Sequence, residues 1–163
     1  MRCRKKSVFV PAVSFLLFLI LSTCMQPVSA AELAPDFKLK DLSNNEVALS
    51  GFRGTKPVLL LFWTTWCPYC RDQLKEISDR YQQLTGEGLQ VLAVNVGETE
   101  SHVKSFARSR NLSYSVLLDR SSDTARSYGI LGIPTYILID KKGEIVSRSN
   151  GFPEGQYKDL IKK

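Results

Sequence analysis

The chain of 163 residues is 44% hydrophobic and 23% charged, values that are ordinary for a single globular domain. Its net charge is +6, but residues 1–30 hold four basic and no acidic side chains, which leaves 18 basic against 16 acidic residues in the rest of the chain. That remainder has no basic block and no interleaving of aromatic and basic residues, so we expect no nucleic-acid partner.

Residues 1–30 follow the three-part pattern of an export signal. A basic start precedes the apolar run "VFVPAVSFLLFLILSTCM", and the small residues Val28-Ser29-Ala30 predict cleavage after Ala30. Two alternatives stay open, because the apolar run is nearly long enough to remain as a membrane anchor and "LSTC", which ends at Cys24, resembles a lipoprotein cleavage box. In all three cases we expect residues 31–163 to be exported and periplasmic, soluble or tethered by the N-terminal segment.

The first half of that domain reads as two short extended segments, then strand, helix and strand. "FKLKDL" and "EVALS" are separated by the turn-forming Ser43-Asn44-Asn45. The continuous apolar run "PVLLLFW", residues 57–63, predicts a strand buried on both faces. "LQVLAVNV" predicts a second buried strand. An amphipathic helix over about 68–85 is predicted between these strands by apolar residues at helical spacing, namely Cys70, Leu74, Ile77, Tyr81 and Leu84.

The second half of the domain continues the alternation of helices and strands and then ends in a hairpin and a helix. We predict a helix between Glu100 and Asn111, a short strand "SVLLD" and a brief helix over 122–128. "TYILID" and "EIVSRSN" predict a hairpin across Lys141-Lys142-Gly143, followed by a closing helix that contains Tyr157. Strands that alternate with helices and end in a hairpin and a helix predict a three-layer α/β domain with a mixed sheet.

The stretch "FWTTWCPYCRDQL" contains Cys67 and Cys70, the two cysteines of residues 31–163. Cys67 comes directly before the predicted helix, where free backbone N–H groups and the helix dipole favour a thiolate, and Pro68 suits the first helical position. Cys70, one turn later, faces the core side of the helix. The pair therefore predicts an exposed nucleophile, Cys67, and a resolving partner, Cys70.

Three other uses of two thiols fit this pattern poorly. A structural zinc site needs four ligands, and His102 is the one histidine of the chain. Covalent haem attachment needs CxxCH, but residue 71 is Arg, and a structural disulfide that closes a four-residue loop adds little stability. Two alternatives stay open. One is a Cu(I)-binding chaperone, because two soft thiolates select that ion. The other is a peroxide reductase, because Thr64 and Cys67 match part of the signature PxxxTxxC, although Leu60 replaces its proline.

The motifs "FWTTWCPYC", "YGILGIPTYILID" and "KGEIVSRSNG" together resemble the thioredoxin superfamily. The opening "APDFKLKDLSNNEVALSGFRGTKPVLLLFW" and the segment of about 99–118 resemble its exported TlpA/ResA-like branch, so that the likeness covers about residues 34–163. It implies a thioredoxin fold with a central mixed sheet, an N-terminal β extension and an extra helix-strand insertion. It also implies thiol-disulfide exchange with protein substrates by Cys67 and Cys70, with no metal and no cofactor beyond their disulfide.

The same resemblance assigns a substrate-binding surface and partners. It implies that Pro134 is cis and that the backbone around Ile133 lies beside Cys67; the residues expected to contact substrate are Trp66, Pro68, Tyr69, Ile133, Pro134 and Thr135. Implied partners are protein thiols and disulfides, with apocytochrome c as a candidate, and a membrane thiol-disulfide transporter as electron donor.

Two positions depart from the pattern of this branch. The buried acid that thioredoxin-like proteins commonly carry two residues before the tryptophan of the central strand is Leu61 here. The glutamate that many ResA-like reductants carry three residues after the second cysteine is Gln73. Proton transfer to and from Cys70 is therefore expected to use water rather than a neighbouring carboxylate.

Overall fold

The computed structural model describes residues 31–162, so the predicted signal or anchor and the fate of Cys24 lie outside the described residues. The strands are β1 (Lys38–Asp41), β2 (Glu46–Ala48), β3 (Val58–Trp63), β4 (Gln90–Val96), β5 (Ser115–Asp119), β6 (Thr135–Ile139) and β7 (Ile145–Ser149). The helices are α1 (Pro68–Gly86), α2 (Glu100–Ser109), α3 (Asp123–Ser127) and α4 (Glu154–Ile161). No helix within residues 31–162 is long and apolar enough to cross a membrane.

The strands form one mixed sheet in the order β2-β1-β5-β4-β3-β6-β7. β3, β4 and β5 are parallel neighbours, whereas β6 pairs antiparallel with β3, and β7 pairs antiparallel with β6. The hairpin of β1 and β2 joins the sheet through an antiparallel pairing of β1 with β5. This is the predicted thioredoxin fold, in which β1 and β2 are the N-terminal extension and α2 and β5 are the insertion.

Alternating side chains of the central strands build two cores, one on each face of the sheet. Leu59, Leu61 and Trp63 of β3 point to one face, where they pack with buried residues of α1, α2 and α4. Leu60 and Phe62 point to the other face, where they pack with α3 and with the segment that precedes β3. Because both faces of β3 are covered, all six of its residues are buried, which is why this strand reads as a continuous apolar run.

The structure differs from the prediction at the second extended segment. "EVALS" was expected to be extended throughout, but the strand ends at Ala48 and a 3-10 helix spans Leu49–Phe52. The chain turns inward because Leu49 is buried and because the N–H of Ser50 donates to Oδ1 of Asp36 at 2.8 Å. An inward apolar residue combined with a side-chain acceptor for the backbone outweighs the local strand preference.

The turn between β6 and β7 agrees with the prediction. Gly143 adopts φ +89°, and a Cβ atom at this position would lie 2.8 Å from Nε of Arg53. Glycine is therefore favoured by the backbone conformation, and a larger residue would also displace the Arg53 side chain.

Candidate active site

The two cysteines of the CPYC stretch lie at the start of α1, directly after the C-terminal end of β3. Cys67 is the N-cap residue, Pro68 occupies the first helical turn, and Sγ of Cys67 accepts a hydrogen bond from the backbone N–H of Cys70 at 3.2 Å. Cys67 and Cys70 form a disulfide with 5.3 Å between their Cα atoms. The sulfur atom of Cys67 thus sits among the unpaired N–H groups of a helix start, as the sequence predicted.

Neither cysteine is freely accessible in the disulfide form. Cys67 is 4% exposed and Cys70 is 0% exposed. The predicted order of accessibility is confirmed, but the prediction of an exposed nucleophile is wrong for this form of the protein. The reason is that Cys67 packs into the core cluster on the α1 face of the sheet, together with Trp63 and Cys70.

The loop that enters β6 lies against the disulfide. The peptide bond between Ile133 and Pro134 is cis, as the resemblance implied, and the carbonyl oxygen of Ile133 lies 3.9 Å from Sγ of Cys67. Two side chains hold this loop, since Oγ1 of Thr135 donates to the Gly132 carbonyl at 2.7 Å and Nδ2 of Asn150 donates to the Pro134 carbonyl at 2.9 Å. The backbone at residue 133 is thereby fixed beside the reactive sulfur.

Large apolar side chains near the disulfide project into solvent. Trp66 is 67% exposed and Tyr69 is 76% exposed, and both lie within two residues of Cys67 in the chain. Leu131 is fully exposed, at 101%, two residues before Ile133. The exposure of Leu131 is not predictable from the sequence, because an apolar residue between two glycine-containing turns reads as a core residue. Exposed apolar groups beside a reactive sulfur suit contact with a polypeptide.

A polar cluster of Glu98, Thr65 and Arg71 lies beside the site, and the sequence pattern does not predict it. Glu98, in the loop after β4, accepts hydrogen bonds from the backbone N–H and the hydroxyl of Thr65, two residues before Cys67. On the other side of the chain, Nη2 of Arg71 donates to the Thr65 carbonyl at 3.3 Å. In the sequence, the only sign of this cluster is an acidic residue directly after Gly97 at the end of a strand. Acidic residues are common at such positions, so this sign does not predict the cluster.

Leu61 and Gln73 are the two positions at which the sequence lacks the acidic residue of the family pattern. Leu61 is fully buried in the core on the α1 face. Gln73 is partly buried, and within residues 31–162 its Oε1 atom finds no hydrogen-bond partner. Neither side chain can therefore serve Cys70 as a carboxylic acid.

His102 lies in the first turn of α2 with its side chain 63% exposed, as expected of a residue at a solvated helix start. Its ring nevertheless faces the polar cluster, with Nε2 3.4 Å from Oγ1 of Thr65. In the part of the chain that the structure describes, no three His, Cys, Asp or Glu side chains are grouped closely enough to hold a metal ion.

Comparison with known proteins places this site in a family. A family model described as AhpC/TSA matches residues 30–148, which is more than half of the chain. The chain belongs to the AhpC/TSA family. The AhpC/TSA protein is 36% identical over 138 residues to the thiol-disulfide oxidoreductase ResA of Geobacillus kaustophilus, a match that covers 85% of this chain and 79% of the relative. It is 29% identical over 144 residues to ResA of Bacillus subtilis, covering 88% and 80% of the two chains.

Solved structures agree with this placement of the AhpC/TSA protein. It resembles the crystal structure of a putative thiol:disulfide interchange protein DsbE from Chlorobium tepidum with a TM-score of 0.74 and 30% identity, over 80% of this chain and 96% of that one. The family, the fold and the CPYC disulfide together show a thiol-disulfide oxidoreductase of the ResA/DsbE-like kind.

Proposed function

We propose that the protein is an exported reductant of protein disulfides that uses Cys67 as nucleophile and Cys70 as resolving cysteine, with no cofactor besides their disulfide. The observation that carries this proposal is the position of Cys67 as N-cap of α1, with its sulfur accepting the N–H of Cys70 and lying 3.9 Å from the Ile133 carbonyl. A sulfur so placed can act as the attacking nucleophile and lies beside a backbone edge on which an extended substrate can dock.

The reaction balances as two successive thiol-disulfide exchanges. In the reduced protein the Cys67 thiolate attacks one sulfur of a substrate disulfide, forming a mixed disulfide and releasing a substrate thiolate that takes up a proton from water. Cys70 then loses its proton to water and attacks Sγ of Cys67, which forms the Cys67–Cys70 disulfide and releases the second substrate thiolate, which takes up a proton from water. Two electrons pass to the substrate, and the protein must be reduced again before the next cycle.

The substrate-contacting surface in this proposal consists of the cis-Pro loop and the exposed side chains around it. Trp66 precedes α1, and Pro68 and Tyr69 are its first two residues. Ile133 and Pro134 lie in the loop before β6, and Thr135 is the first residue of that strand. The relatives named ResA support protein thiols and disulfides as the substrate class. Apocytochrome c is the candidate substrate, and a membrane thiol-disulfide transporter is the candidate electron donor.

Export is proposed on the pattern of residues 1–30. The four basic residues, the apolar run and the small residues before Ala31 support cleavage, anchoring or lipidation, each of which leaves the CPYC site outside the cytoplasm. An oxidising compartment is also where a dedicated protein-disulfide reductant is needed. Fractionation of the producing cells, with the mass of the mature N-terminus, tests this part; a cytoplasmic protein that begins at Met1 contradicts it.

The test of the reaction is the reduction potential of the Cys67/Cys70 couple, measured by equilibrating the purified protein with defined dithiol buffers. A value at or below about −250 mV, close to that of thioredoxin, is expected of a reductant. A value near −120 mV, close to that of the strong periplasmic oxidant, reverses the proposed direction.

Two cysteine variants test the proposed roles. Cys67→Ser is expected to abolish reduction of a disulfide-containing peptide, because Cys70 is fully buried and cannot replace the nucleophile. Cys70→Ser is expected to accumulate a mixed disulfide with that peptide, visible by mass spectrometry, because no resolving thiol remains. If the mixed disulfide accumulates in Cys67→Ser instead, Cys70 is the nucleophile and Cys67 is the resolving cysteine.

A further inference from the structure

The most unusual side chain near the disulfide is Glu98, a carboxylate that the fold keeps almost entirely out of water. Its side chain is 9% exposed. It accepts three hydrogen bonds, from the Thr65 backbone N–H at 2.7 Å, from Oγ1 of Thr65 at 2.5 Å and from Nδ2 of Asn95 at 2.6 Å. Gly97, at φ +72°, reverses the chain after β4 and so directs Glu98 back toward the start of α1.

The fold does not need this cluster. β3 and β4 are already joined by backbone pairing from Val58 opposite Gln90 to Trp63 opposite Asn95, and the side-chain bonds of the cluster lie at and beyond the last of these pairs. Burying Asn95 and most of the Glu98 side chain costs solvation free energy that apolar residues would not cost, and Oδ1 of Asn95 finds no hydrogen-bond partner within residues 31–162. A buried polar cluster that the strand pairing does not require is expected to act on the neighbouring reactive group.

Three charged or titratable groups surround Thr65, and they differ in how water screens them. Arg71 is exposed, although its guanidinium contacts the Thr65 carbonyl, and the His102 side chain is 63% exposed, with Nδ1 3.7 Å from Oε1 of Glu98. The Glu98 side chain, at 9%, is the least exposed of the three. Since solvent screens exposed charges more than shielded ones, the negative charge of Glu98 is the least screened of the three.

The Glu98 carboxylate is close enough to Cys67 for its charge to affect the Cys67 thiolate. Glu98 bonds Thr65, and Thr65 precedes Cys67 by two residues, so the charge lies on the order of 10 Å from the sulfur. At that separation and an effective dielectric constant of about 20, two like charges disfavour each other by roughly tenfold in an equilibrium constant.

We propose that Glu98 is a positioning residue that holds the CPYC turn through Thr65 and that its negative charge disfavours the Cys67 thiolate, which keeps the couple reducing. The sign follows from the linkage between thiolate and potential. A stabilised thiolate stabilises the reduced protein and makes the couple oxidising, so a destabilised thiolate makes the reduced protein a better electron donor. This inference rests on the proposed function, because it assigns the cause of the reducing direction proposed there.

The test compares Glu98→Gln, which removes the charge and keeps the shape, with Glu98→Asp, which keeps the charge. Thiolate formation at Cys67 is followed by ultraviolet absorbance against pH, and the exchange equilibrium with a dithiol buffer is measured above the pH range in which Cys67 titrates. For Glu98→Gln we expect thiolate to form at lower pH and the exchange equilibrium to move about tenfold toward the reduced protein, which corresponds to about 30 mV. Glu98→Asp is expected to stay near the wild type.

Glu100→Gln is the matched control, because Glu100 lies two residues further along, is solvent-accessible and pairs with Lys104 at 2.9 Å. Wild-type values for Glu98→Gln, in a variant whose circular dichroism shows it to be folded, overturn the inference while leaving the proposed function intact. Equal shifts for Glu98→Gln and Glu100→Gln also overturn it, because the effect would then be one of net charge. A wild-type protein that forms no exchangeable disulfide fails the proposed function itself.

Discussion

Leu131 is a fully exposed apolar residue beside the proposed substrate-contacting surface. It is fully exposed at the tip of the loop that carries the cis proline, whereas Ile130, its neighbour, packs against the core of the α3 face. Ile133, two residues further on, presents its carbonyl to Sγ of Cys67. An apolar side chain left in water at this point contributes nothing to folding and is available to a docked substrate.

Leu131→Ser is therefore expected to raise KM for a disulfide-containing protein about threefold to tenfold, because contact with Leu131 removes part of an apolar side chain from water. The thermal midpoint is expected to stay nearly constant, since a fully exposed side chain contributes within about 0.5 kcal/mol to stability. Steady-state kinetics with a protein substrate measure the first effect and calorimetry the second. Val146→Ser is the control, because Val146 is 45% exposed on β7 and away from the loop; an equal rise in KM for both variants would contradict a specific contact.

At the scale of elements, one arginine joins the last helix to the helix that carries the cysteines. Arg80 of α1 donates to Oε2 of Glu154 at 2.7 Å and to the hydroxyl of Tyr157 at 3.2 Å, and its guanidinium carbon lies 4.2 Å from the ring centre of Phe152. Its side chain is 22% exposed. Because the three contacts converge on a mostly buried cation, α4 depends on Arg80 for its position against α1.

Arg80→Met is expected to lower the free energy of unfolding by about 1 to 3 kcal/mol, because the hydrogen bonds and the cation–π contact are lost while the side-chain stem is kept. Urea unfolding measures this loss. Lys75→Met on the same helix is the control, since Lys75 pairs with exposed Asp79 and its loss is expected to change stability by less than about 0.5 kcal/mol. Losses of equal size in both variants would show that α4 does not depend on the Arg80 contacts.

At the scale of the whole molecule, groups on both faces of the sheet define a pH range of maximal stability. Burial by itself would raise the pKa of Asp36 and of Asp41, but hydrogen bonds from Ser50 and Asn45 respectively lower the pKa of each carboxyl overall. Burial raises the pKa of Tyr114, Tyr128 and Tyr136 well above the ordinary range. The carboxylates therefore favour the folded state when ionised, and the tyrosines favour it when neutral.

We expect stability to be lost at both ends of the pH scale. A lowered carboxyl pKa contributes stability that is present above about pH 4 and is lost as the pH falls through the folded value. A raised tyrosine pKa contributes stability that is present below about pH 10 and is lost as the pH rises toward the folded value. Urea unfolding across this range measures both limbs. Tyr114→Phe removes one group that must ionise on unfolding, and is expected to make the alkaline limb shallower by up to about 1.4 kcal/mol per pH unit.

An unchanged alkaline slope in Tyr114→Phe would contradict the assignment of that limb to buried tyrosines. The variant also loses the bond from the Tyr114 hydroxyl to the Leu74 carbonyl, so its stability at neutral pH is expected to fall by about 1 kcal/mol. The slope, rather than the height of the curve, is therefore the quantity to compare.

The order and type of the main elements, and the place of the cysteines on them, follow from local sequence patterns. β3 was predictable because a strand covered on both faces needs an unbroken apolar run, and the start of α1 because Cys67 and Pro68 occupy positions with strong local preferences. The cis proline and its closeness to Cys67 were predictable only through resemblance to a family, since no local rule links residues 67 and 133.

The residues that surround the disulfide are brought there by the tertiary structure. The bond between Thr65 and Glu98 joins residues 33 apart, and it depends on the turn at Gly97 and on the pairing of β3 with β4. The burial of Cys67 and the exposure of Leu131 depend in the same way on which loops meet at the end of the sheet. Periodicity reports the neighbours of a residue along its own helix or strand, whereas contacts between loops are set by backbone turns and packing that leave no repeating pattern in the sequence.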